Sequence, residues 1–138
     1  MIIINNKIKI WNVELYIGMP YEQAESILGT RVYLKRSPDE KGLGHIILED
    51  IDFYDLKGSC TLYFQDSRLE IIGIEPQWNK YDLTDKNGDR LRIDSAVEKV
   101  ASMSKNGLKK AFGEPDEQSN YGNMVFYHYI EEDSYLFR

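Results

Sequence analysis

Hydrophobic spacing along the chain separates helical from extended segments. In Gly18-Met-Pro-Tyr-Glu-Gln-Ala-Glu-Ser-Ile-Leu-Gly29, the residues Ala24, Ile27 and Leu28 fall at i, i+3 and i+4 and predict one apolar helix face. Pro20 stands near the first helical position, where its missing N–H costs nothing, and Gly29 predicts a left-handed cap. The stretch Asn106-Gly-Leu-Lys-Lys-Ala-Phe-Gly-Glu-Pro115 repeats the spacing through Leu108, Ala111 and Phe112, with Gly113 as cap and Pro115 as stop. A preceding helix is predicted from Ser95 to Met103. Ser95 and Glu98 read as a capping box, and Ala96, Val100 and Met103 as its buried stripe, with a break near Ser104 to Gly107.

Alternating patterns predict strands elsewhere. The chain opens with a strand at Ile2 to Ile4, a turn at Asn5-Asn6, and a strand through Ile8 and Ile10. Phe53 to Phe64 can be laid over Phe126 to Phe137 without a gap. Phe-Tyr begins both, Leu56 meets Tyr129, Thr61 meets Ser134, and Leu62-Tyr63-Phe64 meets Tyr135-Leu136-Phe137. Lys57-Gly58 reads as the turn of the first hairpin, and the acidic Ile130 to Asp133 as the longer tip of the second. A polar loop from Arg36 to Gly44 and a further strand from Leu69 to Ile74 belong to the first half. Pro76 to Asp89 is a connection, with a turn at Asn87-Gly88 and apolar anchors at Trp78, Tyr81 and Leu83. The expected fold class is α+β: one domain over residues 1–138, an antiparallel sheet with short helices on one face, built as two helix-plus-hairpin repeats over about 11–75 and 90–138.

Composition narrows the function classes. The 138 residues carry 17 Lys+Arg against 23 Asp+Glu, a formal charge of −6. That sign disfavours nucleic acid, whose binding exchanges counterions for Lys and Arg. No apolar run approaches the ~18 residues of a membrane span, and the opening residues lack the basic region and cleavage site of a signal peptide. The single cysteine, Cys60, excludes an internal disulfide and suits a reducing compartment, so a cytoplasmic protein is expected.

Candidate chemistry is sparse. His45 and His128 have no His or Cys within five positions, and each reads as a structural strand histidine. Asp85 to Asp89 has its glycine out of register for a calcium loop and reads as a turn. Cys60 lies among Leu62 and Phe64 and reads as a core thiol. Gly42-Leu-Gly44 is too short for a phosphate cradle, and Ser104 and Ser119 lack a neighbouring histidine. No catalytic residue, cofactor or metal site is expected, and the chain is not expected to be an enzyme.

The residues Ile17-Gly18-Met19-Pro20 through Gly29, and Leu108 through Pro115, carry a likeness to a known repeat. A helix opened by Ile-Gly-Met-Pro, closed by glycine and followed by strands, resembles the helix-then-sheet repeat of β-lactamase inhibitor protein and of the small outer-membrane assembly lipoproteins. The resemblance implies a sheet without an active site, one face of which binds another protein. This chain departs from it in lacking paired cysteines. In size, charge and type it is also similar to the immunity proteins of bacterial toxin systems.

There are ten tyrosines, several in strand patterns beside acids. Because strands alternate faces, Phe53 and Phe126 are expected towards the helices and Tyr54 and Tyr127 away from them. Tyrosine is enriched at interface cores, and carboxylates beside it would steer a basic partner. The expected partner-binding residues are therefore Asp52, Tyr54, Asp55, Tyr127, Tyr129, Glu131, Glu132 and Asp133. The expected partner is a basic toxin domain, nuclease-like in charge. The alternatives are a scaffold homodimer through an open edge at the 134–138 strand, and an enzyme or small-ligand binder, which would show a deep pocket with convergent polar groups.

Overall fold

The computed structural model describes the backbone at all residues except 1, 5, 54–55, 78–81, 113, 115, 122–123, 130–133 and 138, and side chains at those others outside 2, 53, 56, 101, 104–105, 107–108, 111–112, 117, 119–121, 124–129 and 134–137. In chain order the elements are β1 (Ile2–Ile4), β2 (Lys7–Ile10), β3 (Val13–Tyr16), α1 (Tyr21–Leu28), a 3-10 turn (Gly29–Arg31), β4 (Leu34–Arg36), β5 (Gly44–Phe53), β6 (Leu56–Gln65), β7 (Arg68–Pro76), α2 (Ile93–Phe112), β8 (Glu117–Tyr121), β9 (Met124–Tyr129) and β10 (Ser134–Phe137). The protein is α+β. An eight-stranded sheet in the order β4-β5-β6-β7-β1-β10-β9-β8 is antiparallel at every pairing, and β2–β3 forms a separate two-stranded sheet.

Two rows of paired residues cross all eight strands and define the faces. One runs Lys35, Ile46, Leu62, Ile72, Ile4, Leu136, Tyr127, Gln118; the next runs Leu34, Ile47, Thr61, Gly73, Ile3, Phe137, Phe126, Ser119. Ile46, Leu62, Ile72 and Ile4 are fully buried, whereas Ile47, Thr61 and Ile3 are half-buried. The core lies on the first face. Ile8, Ile10 and Leu15 from the β2–β3 hairpin and Tyr21, Ala24 and Leu28 from α1 close over the sheet residues Leu48, Cys60, Phe64, Leu69 and Ile74. The Tyr21 and Phe64 rings meet edge to face at 5.0 Å.

Local chemistry explains α1. Pro20 precedes its first residue in an extended conformation, and Gly29 ends it with φ +56. The buried face is Tyr21, Ala24 and Leu28; Ile27 is 39% exposed rather than in the expected stripe. Tyr21 takes that place because it lies one turn above Ala24 and reaches Phe64.

Several other expectations are corrected. The Asn5-Asn6 turn does not join a hairpin: β1 pairs with β7 and β10, while β2 pairs with β3. The tight reversal is Trp11-Asn12, both at positive φ, between Ile10 and Val13. Lys57-Gly58 is not a turn but part of β6; the first hairpin reverses between Phe53 and Leu56. Gly58 is there because a Cβ would collide with the Glu75 carbonyl on β7. The ungapped overlay of the two hairpins therefore fails as a residue match, since Phe126 pairs with Phe137 but Phe53 pairs with Leu56. The second half holds one continuous helix of 20 residues, without a break near Ser104 to Gly107. One glycine costs about 1 kcal/mol against alanine, too little to end it. Ser95 is the third residue of α2 and not its cap, but Ala96 and Val100 are buried as the stripe requires. Finally, β10 lies between β1 and β9, so the 134–138 strand is no open edge; the outermost strands are β4 and β8. The strand expected at Leu69 to Ile74 forms as β7, and Asn87-Gly88 lies in a turn in which Asp85 accepts the Asn87 and Asp89 N–H groups at 2.8 and 3.0 Å. Of the expected anchors, Leu83 is half-buried, and Trp78 and Tyr81 lie outside the described residues.

Leu28→Ala should cost about 2–5 kcal/mol by opening a core cavity, while Ile27→Ala one position earlier should cost under about 1 kcal/mol. Urea unfolding of the two variants checks this pair, and equal losses would refute the assignment of the α1 face.

Candidate partner-binding site

Of the expected site residues, Asp52 has a described side chain, and Tyr127 and Tyr129 a described backbone. Asp52 is exposed near the end of β5, opposite Lys57 and just beyond an irregularity between Leu48 and Ile51. Tyr54, Asp55, Glu131, Glu132 and Asp133 lie outside the described residues. Tyr127 and Tyr129 pair through their backbones with Leu136 and Ser134. Strand directions decide the rest. The first hairpin reverses between Phe53 and Leu56, at the end of the sheet that β7 reaches at Pro76. Following the antiparallel order through β1 to β10, the Tyr129–Ser134 pair stands at the opposite end, with β7 and β1 intervening. The two hairpins are three strand spacings apart at their nearest, roughly 14 Å. In backbone register, Tyr127 pairs with Leu136, which pairs with Ile4, and Phe126 pairs with Phe137, which pairs with Ile3.

The described surface is richest in binding features at the end where β6 turns into β7. On the outer face there, Tyr63 is 40% and Leu43 45% exposed, and they flank a shallow depression with Arg36, His45 and Glu70. Behind it, between α1, the β4–β5 loop and the β6–β7 turn, lies a cleft of about 580 Å³. Glu22, Glu25 and Asp66 line it, together with Arg68, Ser37 and Tyr21.

Backbone hydrogen bonds hold this cleft. Gly18 and Tyr21 donate their N–H groups to Leu69 and Ser67, at 2.7 and 2.9 Å, and Leu69 donates back to Met19 at 2.8 Å. Arg68 adds a bond from Nη1 to the Gly18 carbonyl at 2.9 Å. The start of α1 is thus laced to the start of β7. On the other wall, the Asp39 carboxylate accepts the Lys41 and Leu43 N–H groups at 2.9 and 3.0 Å. These two bonds hold the Asp39 carboxyl below the usual aspartate range. Gly42, at φ +72, accepts the Ser67 N–H at 3.0 Å; a Cβ on it would come within 2.5 Å of Asp66 Cα.

Beside the cleft, Tyr21 is only 5% exposed; its hydroxyl lies against Glu25 and Ser37, and burial pushes its pKa up. The nearby Tyr21 hydroxyl and the Lys35 ammonium, 3.3 Å from the Glu25 carboxylate, hold Glu25 below the usual range. The convergence of polar groups was not foreseen from sequence. Its one legible trace was the glycine- and proline-containing loop from Arg36 to Gly44, whose Gly42 makes the close approach.

Cys60 is fully buried, and desolvation pushes its thiol up to about 12, so it is no nucleophile at neutral pH. His45 is half-buried opposite Tyr63 on β6; His128 is paired with Tyr135 and Glu117. Among the described residues no helix is long and apolar enough to cross a membrane. No protein-family model, curated protein or solved structure matches this chain.

Because the folded Asp39 carboxyl is depressed, its contribution to holding the loop is complete above the ordinary aspartate value and is lost as pH falls through the folded value. An NMR titration should show the Lys41 and Leu43 amides moving together, with a midpoint below that of an unstructured aspartate. Gly42→Ala, by contrast, should destabilise the fold by about 1–3 kcal/mol through its backbone strain and the clash with Asp66, read as a lowered unfolding midpoint.

Proposed function

We propose that this chain is a non-catalytic binding protein that neutralises a basic polypeptide, as a cytoplasmic immunity protein covers a nuclease-like toxin domain. The observation that carries the reading is the β6–β7 end of the sheet. Exposed tyrosine and leucine there stand beside a cleft lined by three carboxylates, on a chain of net charge −6. Aromatic area supplies contact, and carboxylates supply long-range attraction to a positive surface. A small-ligand site is the competing use of a cleft this size. Such sites are lined mostly by apolar side chains, whereas six of these nine lining residues are Glu, Asp, Ser or Arg.

The test is binding to the polypeptide encoded beside this chain's gene, expected on this reading to be a basic toxin domain. Association should slow by about tenfold or more as salt is raised from low to high ionic strength, and toxin activity should be lost in the complex. Absence of binding, or an association rate indifferent to salt, would refute the reading.

A further inference from the structure

We propose that the start of α2 and the loop before it form the contact surface of a two-fold dimer of this chain. Leu83, Leu91, Ile93, Ala96 and Val97 line a shallow recess of about 350 Å³, with Arg90 as its charged lining residue. Backbone contacts build it. The Leu91 N–H donates to the Leu83 carbonyl at 2.8 Å, Thr84 bridges to Arg90, and the Lys99 ammonium donates to the Asp82 carbonyl, tying the loop to α2. At this recess Ile93 is 85% and Val97 46% exposed, although the neighbouring Ala96 and Val100 are buried. Ile93 and Val97 stand one helical turn apart, so α2 begins with a second apolar stripe beside its buried one. An isoleucine this exposed next to an apolar recess marks a contact surface.

A second copy is the occupant because the patch complements itself. It offers an exposed apolar side chain, Ile93, and an apolar recess, and a two-fold axis sets each against the other in both directions. Its charges follow the same rule. Arg90 is exposed at the recess, and Asp94 and Glu98, the residues after Ile93 and Val97, are exposed beside it. Two-fold pairing brings the arginine of each copy to the acids of the other. A wholly basic partner would instead be repelled at Arg90, and a wholly acidic one at Asp94 and Glu98. The recess shares no lining residue with the cleft beside α1, so this dimer goes beyond the capture of a basic polypeptide and rests on different residues.

Sedimentation velocity of the full chain at rising concentration should show a reversible monomer–dimer equilibrium. Ile93→Asp should weaken it about a hundredfold, because the change falls twice in a two-fold interface. The melting temperature of that variant at low concentration should match the parent's, since the side chain is exposed in the monomer. Arg90→Glu alone, and Asp94→Arg with Glu98→Arg, should each weaken self-association by like-charge contact, and an equimolar mixture of the two chains should regain it. A parent that stays monomeric at every concentration overturns the proposal, as does an I93D variant that dimerises as tightly as the parent or a mixture that fails to regain association. If the parent is monomeric and I93D instead loses the polypeptide encoded beside the gene, the patch serves that partner and the dimer is refuted. If the dimer forms and no such polypeptide binds, the dimer stands and the toxin-binding reading fails.

Discussion

Both halves of the large sheet hang on a strand of three residues. Ile2 to Ile4 pairs with β7 on one side and β10 on the other, so every row that crosses the sheet passes through it. Ile4 is fully buried, with Ile72 and Leu136 as its paired neighbours. The pairing joins residues near the two ends of the chain, a contact of high sequence separation that must wait for most of the fold to assemble. It also places the α1 half and the α2 half side by side in one continuous surface, which is why the two hairpins end up at opposite ends.

The β6–β7 end of the molecule is held by a different device. Hydrogen bonds between Gly18–Tyr21 and Ser67–Leu69 fasten the start of α1 to β7. The Asp39 turn and the close approach of Gly42 to Asp66 fasten the opposing loop. On the proposed reading, rigid walls matter because carboxylates in fixed positions attract a basic surface without first having to be ordered. The same construction limits unwanted pairing: edge strand β4 has three residues and carries Lys35 and Arg36, which discourage another chain from adding to it.

Particular residues show where sequence reading succeeded. Leu28 and Ala24 were legible as core from helical spacing, Cys60, Leu62 and Phe64 from strand alternation, and Asn87-Gly88 as a turn, since each depends on neighbours within a few positions. Ile27 and Tyr21 exchanged roles because the partner that decides between them, Phe64, is distant in sequence. Gly58 looked like a turn residue and proved to be a close-approach residue for the same reason, since Glu75 on the next strand sets its requirement.

By itself, then, the chain determined its α+β character, its net negative charge, the periodic faces of its elements and the burial of its thiol, because these follow from local spacing and composition. Tertiary structure alone decided that β1 would sit mid-sheet, that the hairpins would point to opposite ends, and that Glu22, Glu25 and Asp66 would converge beside Tyr21. Those outcomes depend on which strands exchange backbone hydrogen bonds, and residues separated by more than forty positions leave no local pattern that announces their meeting.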